Sequence, residues 1–208
     1  MSDTGTYKRI ITGGSGEIEE KKSRFIATIS AVASEEEAAE FIKSIKKKYY
    51  DARHNCYAYI VGENGEIKRS SDDGEPGGSA GRPMLDIIEG ENIRNVCVVV
   101  TRYFGGTLLG VGGLIRAYQG AVKEGLAACE VREMKPLLRV RAVISYADVN
   151  KVKQLSERMG IIENGSTYGQ EVELILLVKP EDAETFTAEM AELSGGTAVV
   201  ETIEKGFF

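Results

Sequence analysis

The sequence is poor in the residues that build common metal and nucleophile sites. It holds no tryptophan and one histidine, His54, and its three cysteines, Cys56, Cys97 and Cys129, form no CxxC pair. A structural zinc site needs several Cys or His ligands at short spacings, so the sequence offers no such site. An odd number of widely separated cysteines predicts reduced, buried thiols rather than disulfides.

Long apolar runs and a general excess of basic residues are also missing. No stretch approaches the roughly 20 apolar residues of a membrane-spanning helix. The first residues, MSDTGTYKRI, lack the apolar core of a signal peptide. We therefore expect a soluble, cytoplasmic protein without membrane contacts. The net charge of -6 argues against a uniformly basic surface, but a local basic patch is compatible with it.

Charge and glycine are spread unevenly, which predicts two domains. Residues 1–136 carry 19 Lys+Arg against 20 Asp+Glu, a net of -1, whereas residues 137–208 carry 7 against 12, a net of -5. Glycine is frequent before Pro136 and sparse after it. Domain boundaries favour such changes of composition, so we predict one domain at 1–135 and a second at 136–208.

Both domains show strand and helix patterns, and the predicted class is α+β. In the second domain, strand patterns at 137–146, 161–168, 172–178 and 197–203 alternate with helix patterns at 148–159 and 180–193. This βαββαβ order predicts a ferredoxin-like fold. In the first domain we predict strands at 23–32, 54–61 and 95–102, helices at 34–50 and 112–129, and a hairpin at 63–65.

One glycine-rich stretch, TRYFGGTLLGVGGLIRAYQGAV at 101–122, joins a strand to a helix. Exposed N–H groups at a helix start attract anions, and arginines on either side would add phosphate contacts. The spacing fits neither GxGxxG nor GxxxxGK[ST]. Anion or nucleic-acid binding and tight helix-on-strand packing therefore both remain open. The candidate binding residues are Arg102, Tyr103, Gly105, Gly106, Gly110, Gly112, Gly113 and Arg116, with Arg82 and His54 from elsewhere in the domain.

A second stretch, SSDDGEPGGSAGRPM at 70–84, predicts a long ordered loop. Its carboxylates, Asp72, Asp73 and Glu75, are oxygen ligands suited to Mg²⁺. Aspartates also start turns by hydrogen bonding to their own backbone, which is the alternative interpretation. The lone His54 is either an acid/base group or a polar residue at a strand end. The lysine run 46–48 suits the negative end of a helix, with nucleic-acid contact as the alternative.

Three blocks of the first domain together resemble the signature of the IMPACT/YigZ family. They are RHNCYAYIVG at 53–62, SSDDGEPGGSAGRPML at 70–85 and VVVTRYFGGTLLGVGGLIRAYQGAV at 98–122. The second domain resembles that of the bacterial members. The matching positions are His54, Asp72, Asp73, Gly74, Glu75, Gly81, Arg82, Pro83, Arg102, Tyr103, Gly105, Gly106, Gly110, Gly113, Arg116 and Tyr118.

The resemblance implies folds like two domains of elongation factor G. The first domain would resemble that factor's fourth domain, a ribosomal-protein-like βαβ fold, and the second its fifth domain. Eukaryotic relatives regulate translation by binding the activator protein of an amino-acid-starvation kinase. The resemblance supplies no catalytic residue and no cofactor.

We therefore expect a non-enzymatic binding or regulatory protein linked to translation. Its first domain would contact RNA, the ribosome or a translation-associated protein, without sequence-specific DNA binding. One alternative is a small enzyme that acts on a phosphorylated or nucleotide substrate with Mg²⁺. Another is a protein-interaction adaptor with no RNA contact, which the acidic second domain favours.

Overall fold

The structure is a computed structural model that describes residues 5–208. The chain divides into two compact α+β units. The first unit is Tyr7–Glu133, and the second is Met134–Phe208 together with Gly5 and Thr6. Each has its own core and is described separately.

The first unit contains strands β1 to β8 and helices α1 to α3. In chain order they are β1 (Tyr7–Thr12), β2 (Gly14–Glu20), β3 (Ser23–Ala31), α1 (Glu35–Lys48), β4 (His54–Val61), β5 (Ile67–Ser71), α2 (Gly81–Gly90), β6 (Ile93–Arg94), β7 (Val96–Tyr103), α3 (Val111–Ala127) and β8 (Glu130–Met134).

A five-stranded antiparallel sheet of order β2-β3-β7-β4-β5 forms the middle layer of this unit. Its central strand, β7, is buried from Val96 to Arg102, as expected for a short strand made of a continuous β-branched run. One face of the sheet packs against α2 and α3, and the other packs against α1. A small sheet of order β6-β1-β8 completes the unit.

Most of the elements predicted for this unit are confirmed. The strand predicted at 54–61 is β4, and the helix predicted from Ser34 is α1, whose first turn is capped by the Ser34 hydroxyl accepting from the Glu37 N–H at 3.2 Å. The bounds predicted for the loop at 70–84 are wrong at both ends. β5 continues to Ser71, and α2 begins at Gly81, so only the segment 72–80 is a loop.

The second unit has the predicted βαββαβ order. Its elements are β9 (Pro136–Ile144), α4 (Val149–Met159), β10 (Ile162–Tyr168), β11 (Val172–Val178), α5 (Ala183–Leu193) and β12 (Val199–Phe207). The strands form an antiparallel sheet of order β10-β11-β9-β12, and both helices pack on one of its faces. Gly160, with φ +64°, ends α4 in the left-handed region where the sequence predicts a stop.

Candidate functional site

Most of the predicted site residues lie at one end of the five-stranded sheet. Strand pairing places His54, the first residue of β4, beside Arg102 near the end of β7. The segments that surround them are 21–22, 46–54, 72–80 and 103–116, and we call this region the loop end. Side-chain contacts tie the segments together, since Lys46 Nζ lies 2.7 Å from Asp73 Oδ1 and the Tyr103 hydroxyl donates to Asp51 Oδ1 at 2.7 Å.

Arg102 lies inside the loop end, and not on its surface. Its Nη1 is 2.7 Å from Glu75 Oε1, and the two side chains are 8% and 3% exposed. The guanidinium also lies over the rings of Phe25 and Phe104, 5.4 and 5.6 Å from their centroids. The sequence suggested that Arg102 contacts an anion directly. The structure instead places it in a buried ion pair beneath the loop, because β7 is covered on both faces at this point.

Glu75 links this ion pair to the helix layer. Its Oε1 also accepts a hydrogen bond from the Tyr118 hydroxyl of α3 at 2.8 Å. That hydroxyl lies 3.3 Å from Cys56 Sγ, and the Cys56 thiol donates to the Asp72 carbonyl at 2.9 Å. Burial raises the pKa of the Cys56 thiol to about 12, and burial also raises the pKa of Tyr118, with Cys56 and Glu75 adding to the effect. Both groups therefore keep their protons at neutral pH.

The Asp72 carboxylate organises the loop between β5 and α2. It accepts backbone N–H bonds from Gly78, Ala80 and Gly81 at 2.8, 2.9 and 2.8 Å. Burial alone would raise the pKa of Asp72, but these three donors outweigh it and the pKa is lowered. Two of the donors belong to the start of α2, which has no side-chain cap of its own. Asp72 therefore acts as a cap supplied from outside the helix.

The three carboxylates that the sequence offers as possible Mg²⁺ ligands, Asp72, Asp73 and Glu75, each bond to different partners in the structure. Asp73 Oδ2 accepts the Asn55 N–H at 2.8 Å, its other oxygen pairs with Lys46, and the other two carboxylates have the partners described above. Within residues 5–208, no group of three His, Cys, Asp or Glu side chains is arranged to hold a metal ion. The carboxylates face separate donors, which supports their role as turn anchors.

His54 is half-buried at the start of β4. Its Nδ1 lies 2.9 Å from the Asp73 carbonyl oxygen, which only accepts, so Nδ1 carries the proton and donates. On the same face of β4, the Cys56 thiol stays protonated, so the two residues do not make an activated thiolate. His54 thus joins the strand to the 72–80 loop.

The two remaining arginines of the prediction do not join Arg102. Arg82 is exposed on α2 and pairs with Asp86 at 2.7 Å and with Glu89 at 3.6 Å. Arg116 is exposed in the first turns of α3, and within residues 5–208 it pairs with no acid. Of the three arginines, Arg116 is therefore the one that presents its charge to solvent without an acidic partner in the described chain.

The glycines of the 101–122 stretch have several structural roles. A Cβ on Gly105 would lie 2.0 Å from the Lys22 carbonyl carbon, so the loop is pressed onto the β2–β3 turn. A Cβ on Gly112 would meet nothing closer than 3.9 Å. The close approach of α3 to the sheet depends on a glycine outside the stretch, because a Cβ on Gly16 of β2 would lie 2.4 Å from the Glu124 carbonyl carbon. The sequence predicted helix-on-strand packing but gave no sign that Gly16 takes part in it.

Basic and aromatic side chains cluster near the end of α1, where the sequence favoured helix electrostatics over nucleic-acid contact. Lys47, Lys48 and Arg53 are exposed there and pair with no acid in the described part of the chain. Arg116 also has no pairing acid in that part, but it belongs to α3, which packs on the face of the sheet opposite α1. We call these four residues the basic end. Lys21 and Lys22 lie nearby, but Glu19 and Glu20 precede them in the chain and offset their charge. The sequence pattern that marks this cluster is the run KKKYYDARH, in which lysines and tyrosines stand together.

Comparison with known families gives this arrangement a context. The Impact N-terminal domain family matches residues 21–126, and a family described as a domain of unknown function, DUF1949, matches residues 143–197. The chain belongs to the IMPACT family. The IMPACT family member YvyE of Bacillus subtilis is 40% identical over 92% of this chain and 88% of its own length.

Two solved structures are also similar to this IMPACT chain. A crystal structure of a hypothetical protein is 31% identical, covers 96% of this chain and 98% of its own, and superposes with a TM-score of 0.60. The two-domain translational regulator Yih1 is 27% identical and covers 57% of this chain and 47% of its own, with a TM-score of 0.39. The first of these supports the α+β fold described for each unit.

Four polar members of the IMPACT signature are turned inward. Asp72, Glu75, Arg102 and Tyr118 direct their side chains into the fold, where they bond to one another or to backbone amides. The signature therefore describes how the loop end is built. The exposed surface above it includes the basic end and two aromatic rings, Tyr50 and Phe104.

Proposed function

We propose that this IMPACT-family protein is a non-enzymatic RNA-binding regulator linked to translation. In this proposal the basic end of the first unit contacts the phosphate backbone. The observation that carries it is an imbalance of charge at the loop end. The acids Asp72, Asp73 and Glu75 are bonded to partners within the first unit, whereas the four cations of the basic end face solvent without a pairing acid in residues 5–208 and outnumber Asp51, the exposed acid of these segments.

Such an imbalance gives a local positive potential on a protein whose net charge is -6. Phosphate groups release counterions when they bind lysine and arginine, which supplies affinity without base recognition. Arginine also forms paired hydrogen bonds with phosphate oxygens, so Arg53 and Arg116 are the strongest single contacts. All four of these cations belong to the first unit, whereas most of the net negative charge belongs to the second.

The side chains favour binding over catalysis. The one thiol near His54 keeps its proton, and the carboxylates of the 72–80 loop are occupied by structural partners. A nucleophile or metal-activated water would need one of these groups to be available. We therefore place the small-enzyme alternative behind RNA binding.

The link to translation rests on family membership. Eukaryotic members of the family that the sequence resembles regulate translation, and the proposed likeness to two elongation-factor domains points to the same process. The RNA would then belong to the translation machinery, and a translation-associated protein is the alternative partner for the same surface.

A titration of labelled RNA at two salt concentrations tests this function. We expect binding at low salt that weakens steeply as salt increases. The double variant Lys47→Ala/Lys48→Ala should reduce the slope of log K against log salt by about 0.7 for each phosphate of a single strand that the protein no longer neutralises. The matched control is Lys153→Ala/Lys179→Ala, which removes two exposed lysines of the second unit. No binding at low salt, or an equal change in the control, would reject the proposal.

A further inference from the structure

Phe104 presents an aromatic ring at the loop end. It follows strand β7, and it is 54% exposed, although Thr101 and Arg102 of that strand are buried. Single exposed apolar residues are common on protein surfaces, so exposure alone carries no function. What distinguishes Phe104 is the support beneath its ring.

That support is a connected set of buried side chains. The Arg102 guanidinium lies 5.6 Å from the Phe104 centroid and is held by Glu75 at 2.7 Å. Below it, Phe25 makes an edge contact with Tyr118, with centroids 5.2 Å apart at 84°, and Tyr118 donates to the same Glu75 oxygen that Arg102 binds. Cation–π contact with a buried, hydrogen-bonded guanidinium holds the ring in place.

The backbone beside Phe104 is held as well. The Gly105 N–H donates to the Ser23 hydroxyl at 3.1 Å, and Gly105 packs against the Lys22 backbone so closely that a Cβ would lie 2.0 Å from it. Both the ring and its Cα are therefore positioned before any ligand arrives. A preorganised group loses little conformational entropy on binding.

The surroundings of the ring suit one class of ligand. The basic end lies on the same end of the sheet, and Tyr50, 86% exposed, is next to Asp51, which binds the Tyr103 hydroxyl. Cations that follow a phosphate backbone, combined with exposed aromatic rings that accept bases, are the features by which proteins bind single-stranded nucleic acid. A duplex hides its base faces and would use only the cations.

We infer that the loop end binds single-stranded RNA, that an unpaired base stacks on Phe104, and that Arg102 is the positioning residue that supports this ring. The inference rests on the proposed RNA-binding function and adds the class of RNA and the residue that receives the base. Arg102 itself touches no RNA in this arrangement.

The first test compares an unpaired RNA with a duplex of the same length. Phe104→Ala should weaken single-strand binding by about 5-fold to 150-fold, which corresponds to the loss of one stacked base. It should leave duplex binding unchanged, and it should leave the salt slope unchanged because no charge is removed. The matched control is Leu108→Ala, which truncates an apolar residue of the same loop that is 83% exposed, and it should change nothing.

The second test uses a fluorescent ring at this position. The chain has no tryptophan, so Phe104→Trp introduces a unique reporter that retains stacking. Single-stranded RNA should quench its emission, whereas polyphosphate at equal charge should not. Adding Arg102→Lys should weaken this quenching while the salt slope stays the same, which a general loss of folding would not do.

The outcomes separate the inference from the proposed function. If Phe104→Ala binds single strands like the unmodified protein while Lys47→Ala/Lys48→Ala binds them weakly, stacking is rejected and RNA binding stands. If Phe104→Ala weakens duplex and single strand equally, selectivity for unpaired bases is rejected. If no RNA binds at low salt, the proposed function itself fails.

Discussion

At the scale of single residues, the charges that the sequence marks for chemistry serve the fold. Arg102 and Glu75 are both desolvated, and each is tolerated because the other is present. Removing one partner leaves an uncompensated buried charge, whereas removing an exposed partner leaves a charge that water can solvate. The stability cost of breaking the Arg102–Glu75 pair can therefore be compared with that of breaking an exposed pair, without any ligand.

We predict that Arg102→Met lowers the free energy of unfolding by about 3–5 kcal/mol. The control, Arg82→Met, breaks the exposed pair with Asp86 and should cost about 0–1 kcal/mol. Urea unfolding measures both values. The double variant Arg102→Met/Glu75→Gln should recover part of the loss because no unpaired charge remains. Similar losses for Arg102→Met and Arg82→Met would contradict the burial argument.

Asp72 gives a prediction with a defined pH dependence. Its pKa in the fold lies below the ordinary value of 3.8, so its contribution to stability is present above that value and is lost as pH falls through the folded pKa. At pH 7, Asp72→Asn should be less stable than the unmodified protein by about 0.5–2 kcal/mol, the usual cost of losing a helix cap.

Urea unfolding of both proteins at pH 7 and at about pH 3 tests the direction of this pH dependence. Protonation of Asp72 weakens the same carboxylate hydrogen bonds that Asp72→Asn weakens. The stability difference between the two proteins should therefore narrow in acid. Asp86→Asn, which changes an exposed carboxylate on α2, is the control and should show no comparable narrowing. A difference that stays constant with pH would show that the charge of Asp72 is not what stabilises the loop.

At the scale of elements, the sequence predicts those that carry their own signals. β4, α1 and α4 have clear periodicity, local caps or glycine stops, and each was predicted within a few residues of its observed bounds. α2 was missed because its cap, Asp72, lies 8 residues before Ala80, which no local pattern reveals. β2 was missed because its glycines, which weaken a strand pattern, are needed where α3 approaches.

Glycine substitutions test this account of the packing. Gly105→Ala should destabilise the protein by about 1–3 kcal/mol, since the added methyl group overlaps the Lys22 backbone and the loop must shift. Gly112→Ala should be neutral or stabilising by up to about 1 kcal/mol, because its nearest neighbour is the flexible end of Arg116 at 3.9 Å and alanine favours a helix. Thermal unfolding of the two variants measures the contrast. A melting temperature of Gly105→Ala equal to that of Gly112→Ala would contradict it.

At the scale of the whole molecule, the sequence predicts two domains but not the surface that we assign to function. Composition predicted a change near residue 135, and the βαββαβ pattern of the second unit was readable because each strand and helix has its own period. The sequence does not predict that the four residues of the basic end lie at the same end of the sheet. Lys47 and Arg116 are far apart in sequence, and only the antiparallel pairing of β4 with β7 brings their segments to the same end of the sheet.

The separation of charge between the units leads to a prediction about fragments. A chain of residues 1–133 should bind RNA, and one of residues 134–208 should not, since the net charge is -5 over residues 137–208 but only -1 over residues 1–136. At low salt the first fragment should bind more tightly than the full chain, because a repelling acidic unit has been removed. This advantage should shrink near 0.15 M salt, where charges are screened beyond about 8 Å. Circular dichroism melts establish that each fragment is folded, and RNA binding retained by residues 134–208 would move the functional surface to the second unit.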